Sequence, residues 1–259
     1  MKFSLSGRCV LGGGGLLKEN AEFLPLAGEL GFDGVDLRWE QMNPTLPRAK
    51  VDEAKDLCSK HGLEVAALNS KSLAADDFKP VLELAKELGC GRIRVSGDIP
   101  TIQAAADMAK PYGIRLGVQM HTNGNYETVA LAKDTLAEIG RDNYGVVIEP
   151  ANLYMAGDAF TAENFALIAD KIFWCHIQSL IVFPLDQAKG KLTLLDGTQV
   201  GYTRVPIREN TGCGLLEFFA SLKAVGFNDY INCLEPVPET DDWRGFFADY
   251  LAYLREMAG

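Results

Sequence analysis

Short apolar runs alternate with longer amphipathic stretches along the whole chain. Eight runs have the length and composition of buried strands, and they cover 2–10, 34–39, 63–70, 92–97, 115–121, 144–150, 171–180 and 230–236. Stretches with helical spacing follow most of these runs. One covers about 18–30, four end at about 60, 88, 110 and 139, and two cover 161–169 and 242–257. Strands that alternate with helices predict right-handed βαβ units and a parallel sheet.

Glycines and chain length narrow the architecture. Gly31, Gly62, Gly89 and Gly140 each follow a predicted helix, as expected of left-handed C-caps. Eight units in 259 residues match the roughly 250 residues of a TIM barrel. We therefore predict an α/β fold, a single (β/α)8 TIM barrel, with one domain over 1–259. The region 181–214 is too long for an ordinary connection, and long loops are often functional.

Composition adds only predictions of which partners and locations the protein does not have. The formal net charge of −10 would repel a polyanion, so we expect no nucleic acid partner. No apolar stretch approaches the roughly 18 residues of a membrane helix, and the first apolar run is too short for a signal peptide. Six cysteines without a CxxC pair indicate reduced, mostly buried thiols. We therefore expect no membrane partner and a cytoplasmic location.

Polar side chains end the fifth to eighth predicted strands in succession. They are Gln119 and His121, Glu149 with Asn152 after it, His176 and Gln178, and Glu235. TIM barrels build their active sites at the carboxyl ends of the strands, where these groups would meet. Each residue alone is often only solvated or part of the core. Carboxylates and imidazoles that converge there can hold a divalent cation such as Mn²⁺, Mg²⁺ or Zn²⁺.

Two further features are weaker. Arg38, Asn69 and Lys71 end the second and third strands and could bind substrate hydroxyls or a phosphate, although basic residues at loop mouths are often only solvated. Aromatic residues at helical spacing in 242–257 predict a core face or a dimer contact, which leaves a homo-oligomer open.

Short motifs carry a family resemblance over almost the whole chain. They are GVQMH at 117–121, EPAN at 149–152, HIQS at 176–179, TGCG at 211–214 and GFNDYINCLEP at 226–236. In this order they resemble the xylose isomerase-like TIM barrels, which include sugar phosphate isomerases and epimerases.

The resemblance implies a metal held by Gln119, Glu149, His176 and Glu235. Gln119 stands where the family has Glu, which removes a charge but leaves a carbonyl oxygen for a hard cation. An amide cannot take a proton at neutral pH, so the family's paired acid–base mechanism would have only Glu235 as its carboxylate. His121 is the expected partner, because an imidazole titrates near neutral pH.

The function implied is a metal-dependent isomerase or epimerase. Its substrate would be a small carbohydrate, meaning a sugar, sugar phosphate or keto-polyol, contacted by Arg38, Asn69, Lys71, Asn152 and Gln178. An inosose-type dehydratase and a sugar-binding barrel with a decayed catalytic site remain alternatives. A phosphodiesterase resembling endonuclease IV is weaker, since Asn152 stands where that branch has a histidine.

Overall fold

A computed structural model describes residues 1–209 and 213–259. Its central sheet is a closed barrel of eight parallel strands. The strands are β1 (Lys2–Ser6), β2 (Gly34–Leu37), β3 (Glu64–Asn69), β4 (Arg92–Arg94), β5 (Arg115–Gln119), β6 (Tyr144–Ile148), β7 (Ile172–Ile177) and β8 (Tyr230–Cys233). Ser4 of β1 pairs with Gly34 on one side and Asn232 on the other, which closes the barrel. The predicted (β/α)8 fold is confirmed.

Helices surround the barrel in the predicted order. They are α1 (Asn20–Glu29), α2 (Arg48–His61), α3 (Ala75–Glu87), α4 (Ile99–Ala109), α5 (Val129–Ile139), α6 (Pro150–Met155), α7 (Ala162–Ala166), α8 (Leu215–Ala224) and α9 (Trp243–Ala258). Gly62 and Gly140 end α2 and α5 with φ of 66° and 60°, a left-handed conformation that glycine adopts without strain. In α9, Phe247 and Tyr250 are buried, so the aromatic face is largely core.

Trp174 is a large side chain of the barrel core and is 1% exposed. Gly117 on β5 makes room for it, because a Cβ there would lie 2.5 Å from the indole ring. Trp174 donates to His176, two residues further along β7, so the indole packs beside the imidazole. All six cysteines are buried.

The region 181–214 is more ordered than the sequence suggests. Three antiparallel strands, Leu180–Phe183, Gly190–Thr193 and Gln199–Arg204, form a small sheet with the last of them in the middle; we call it the excursion sheet. It packs on α6 through Leu192, Val200 and Tyr202. The TGCG motif lies partly outside the described residues, which resume at Cys213.

In the described ranges, every helix is too short or too polar to cross a bilayer.

Candidate active site

Glu149 is the centre of the polar cluster at the strand ends. It follows β6 directly, is wholly buried, and accepts hydrogen bonds from three amide groups. The donors are Gln119 and Asn152 on Oε2, the latter at 2.6 Å, and Gln178 on Oε1. Burial raises the pKa of Glu149, although the glutamine hydrogen bonds act in the opposite direction. The structure therefore brings together four of the residues that the sequence singled out.

Two arginines fix the orientation of the glutamine amides. Arg94 Nη1 donates to Gln119 Oε1 at 2.6 Å, and Arg204 Nη1 donates to Gln178 Oε1. Arginine has only donors, so each glutamine must turn its oxygen to the arginine and its NH₂ group to Glu149. The result is a continuous hydrogen-bonded chain from Arg94 to Arg204 through Glu149.

Sequence reasoning missed both arginines. Arg94 ends β4, and the rule that placed Gln119 at a strand end would have found it. Arg204 had no comparable signal, because it ends a strand of the excursion sheet, in a region that the sequence predicted to be irregular.

The implied divalent cation does not fit this donor set as arranged. Amide donors take three of the roughly four lone-pair positions on Glu149, and Arg94 takes one of the two on the Gln119 carbonyl oxygen. A cation bound by these oxygens would therefore have to displace hydrogen-bond donors to gain several ligands here. The guanidinium groups of Arg94 and Arg204 also donate to the two glutamine amides, so a cation here would have two positive charges close by. Within the part of the chain that the structure describes, His, Cys, Asp and Glu side chains form no group of three suited to a metal ion.

Glu235 lies two residues beyond β8 and is 5% exposed. Its Oε1 accepts from the Ser179 backbone N–H at 2.6 Å and from the Tyr250 hydroxyl at 3.0 Å. Burial raises the pKa of Glu235 to about 7, and the two hydrogen bonds limit the rise. A carboxyl with that pKa can both take up and release a proton at neutral pH, as a general acid–base group requires.

A cleft of about 580 Å³ opens beside Glu235. The excursion sheet contributes Tyr202 and Arg204 to its wall, and Phe246 of α9 closes another side. The cleft therefore places a titrating carboxyl and a guanidinium group next to the same volume. Glu149 and His176 lie outside its lining, so the cleft covers only one side of the predicted site.

His176 is buried beneath the cluster. Its Nε2 accepts from Trp174 Nε1 at 3.2 Å and lies 3.9 Å from Asp36 Oδ2. Burial, followed by the charges of nearby arginines, lowers the pKa of His176 well below its usual value, so the ring is neutral at pH 7. Among the described residues its Nδ1 has no hydrogen-bond partner.

The other predicted residues divide into two groups. Arg38 and Asn69 are neighbours. With the Asn69 amide turned so that its oxygen faces Arg38, that oxygen accepts from Arg38 Nη1 at 3.0 Å and Nε at 3.1 Å. Lys71 turns outward to Glu40, 2.8 Å away at the surface. His121 is exposed, with Nδ1 3.1 Å from the Thr122 carbonyl oxygen, yet it is near enough to lower the pKa of Glu149.

A family model described as the xylose isomerase-like TIM barrel matches residues 24–256. Solved structures share the fold. A xylose isomerase domain protein from Alicyclobacillus acidocaldarius is 19% identical over 100% of this chain and 98% of its own, with a TM-score of 0.73. The IolI protein, solved with a bound zinc atom, is 20% identical over 100% and 98%, with a TM-score of 0.74. A D-psicose 3-epimerase, solved in the presence of D-fructose, is 13% identical over 100% of both chains, with a TM-score of 0.72. No curated protein sequence matches significantly.

Proposed function

The chain belongs to the xylose isomerase-like TIM barrel family, and from that premise we propose that it is an isomerase or epimerase of small carbohydrates. The reaction is proton transfer at a carbon next to a carbonyl group. The observation that carries the proposal is Glu235, a buried carboxyl with a pKa of about 7 beside a cleft at the strand ends. A sugar epimerase among the structures of the same fold supports the substrate class.

The proposed step begins with ionised Glu235. Its carboxylate takes the proton from the carbon, the C–H bond breaks, and the electron pair moves to the carbonyl oxygen to give an enediolate. Arg204 lines the same cleft and can stabilise the developing negative charge with its remaining N–H donors. Ser179 and Tyr250 hold the carboxylate in place during the transfer.

The availability of a single carboxylate favours isomerisation over epimerisation. Glu149 already accepts three amide hydrogen bonds and is wholly buried, so it is poorly placed to exchange protons with a substrate. Glu235 alone can return its proton to the neighbouring carbon. Together with movement of the hydroxyl proton from one enediolate oxygen to the other, this completes an aldose–ketose isomerisation. Epimerisation needs a second group on the opposite face, and His121 is our candidate for it.

The divalent cation implied by the sequence stays a prediction. Its support is the zinc of the IolI structure and the orphaned Nδ1 of buried His176. Against it stand the three amide donors that already bind Glu149, and the proposed steps assign charge stabilisation to arginine instead. Metal analysis of the purified protein with and without chelator separates a metal-dependent site from an arginine-dependent one. Stoichiometric metal that is needed for activity would favour Gln119, Glu149, His176 and Glu235 as its ligands.

A sugar-binding barrel without catalysis is the second candidate function. The three amide hydrogen bonds on Glu149 favour it, because that carboxylate is held as a structural hydrogen-bond acceptor. Binding of a sugar without exchange of its carbon-bound protons would support this candidate against the first.

Deuterium incorporation from D₂O tests the catalytic proposal. The purified protein is incubated with ketoses, inososes and hydroxypyruvate, and exchange at the carbon next to the carbonyl is followed by NMR. Glu235→Gln should reduce exchange by roughly 10²–10⁴-fold, the usual contribution of a general base. Glu83→Gln, which changes an exposed carboxylate on α3, is the matched control and should leave the rate unchanged. Equal exchange by wild type and Glu235→Gln would refute the role of Glu235.

A further inference from the structure

Four half-buried arginines surround the strand ends, and we call them the arginine cluster. Arg8 lies in the turn after β1, Arg38 follows β2, Arg94 ends β4, and Arg204 ends the excursion sheet. The carboxyl ends of the strands in a TIM barrel meet at one face, so the four side chains belong to the same rim. Their charges act on one another and on Glu149 and Glu235.

The arginine cluster differs from most arginines elsewhere in the chain. Six of the other seven form an ion pair with a carboxylate; these are Arg48, Arg92, Arg115, Arg141, Arg208 and Arg244. The seventh, Arg255, donates to the Gly31 carbonyl oxygen at 2.7 Å. Within residues 1–209 and 213–259, none of the four has a carboxylate at ion-pair distance.

Their hydrogen bonds go to neutral amides instead. Arg94 donates to Gln119, Arg204 to Gln178 and Arg38 to Asn69. The Arg8 guanidinium has no hydrogen-bond partner among the described side chains and carbonyls. An amide orients a guanidinium without neutralising it, so none of the four is directly paired with a carboxylate. The charges of Asp36, Glu149 and Glu235 act on the cluster only from beyond ion-pair distance.

Such an arrangement is costly without a ligand. Burial, followed by the charges of Arg204 and Arg38, lowers the pKa of Arg8. Burial lowers the pKa of Arg94 to about 10, which leaves it charged at neutral pH. Unpaired cations removed from water destabilise a fold, and an anion that pairs with them stabilises the folded state when it binds.

We infer that the arginine cluster binds an anionic group of the substrate, a carboxylate or a phosphate, and places it beside Glu235. The guanidinium fork matches both oxyanions and can bind either through two parallel hydrogen bonds. Arg204 belongs to the cluster and also lines the cleft, so the anion and the titrating carboxyl share one volume. The inference rests on the proposed function only in naming Glu235 as the group that acts on the substrate. The substrate class becomes a sugar acid or a sugar phosphate, in preference to a neutral ketose.

Calorimetric titration of the full-length Glu235→Gln protein tests the inference without turnover. The probes are inorganic phosphate and D-gluconate, with neutral D-fructose as the comparison. We expect saturable binding of at least one anion; the stronger of the two identifies the oxyanion. Adding Arg8→Gln should weaken that binding roughly tenfold to a hundredfold, the loss of one charge-assisted hydrogen bond. Adding Arg48→Gln at the surface should leave it unchanged.

Melting temperatures show whether a variant that loses anion binding is still folded. Arg8 lacks a hydrogen-bond partner among the described residues, so Arg8→Gln should keep or raise the melting temperature while it weakens anion binding. Arg8→Lys retains the charge without the fork and should give an intermediate affinity.

Failure of both anions to bind, or binding that Arg8→Gln leaves unchanged, would contradict the inference. Deuterium exchange on a neutral ketose with no anion binding would keep the proposed function and reject this inference. Anion binding without deuterium exchange on any substrate would keep this inference and reject the proposed function.

Discussion

At the scale of single residues, Gln119 is more than a lost carboxylate. It accepts from Arg94 and donates to Glu149, and only a side chain with both an acceptor and a donor can join these two groups. Gln178 repeats the arrangement with Arg204 on the other oxygen of Glu149. The sequence showed that both residues stand at strand ends, but it could not show that both glutamine amides bind the same carboxylate, because that depends on side-chain directions across three strands.

Gln119→Glu tests this interpretation. The substitution removes a donor from buried Glu149 and places a second carboxylate against it, so the protein should lose about 1–3 kcal/mol of stability in urea denaturation at neutral pH. Gln187→Glu, at an exposed position, should change stability little. If Gln119→Glu instead raises stability only when Mn²⁺, Mg²⁺ or Zn²⁺ is added, the site is a decayed metal centre and our account of Gln119 is wrong.

At the scale of elements, the barrel strands were predictable and the excursion sheet was not. Strands β6 and β7 are buried throughout, so they stand out as continuous apolar runs. The strand Gly190–Thr193 has no fully buried residue and the central strand Gln199–Arg204 has one, Gly201. Such strands owe their structure to pairing with each other, and pairing leaves little trace in sequence. The position of Arg204 was therefore beyond prediction.

Glu127 ties the far end of the excursion sheet to the barrel. It is 7% exposed and accepts from the Leu195 backbone N–H at 2.9 Å and from the Asn123 N–H. Glu127→Ala should release the segment around Leu195, seen as faster hydrogen–deuterium exchange and faster proteolysis over 184–198, with a local loss of about 1–3 kcal/mol. Glu138→Ala, an exposed glutamate on α5, is the control. Unchanged exchange in Glu127→Ala would show that the sheet is held by its packing on α6 alone.

At the scale of the whole molecule, charge and architecture serve one site. The chain carries a net charge of −10, yet its strand ends collect four arginines, none of which has a carboxylate at ion-pair distance among the described residues. A net negative charge repels large polyanions, while arginines gathered at the strand ends still leave a local site for a small anion. Composition alone predicted the first property. The second required the fold, since Arg8, Arg38, Arg94 and Arg204 are far apart in sequence.

The central claim is that Glu235 transfers a proton while arginines stabilise the charge that develops on the substrate. The most direct test is the pH dependence of deuterium incorporation at low substrate concentration, which reports on groups of the free enzyme. A base acts when ionised, and its ionised fraction increases with pH, so we expect the rate to rise through an apparent pKa of about 7 and then level off. Glu235→Gln should abolish this pH-dependent exchange. A rate that is flat between about pH 5 and about pH 9, or a profile that survives in Glu235→Gln, would contradict the account.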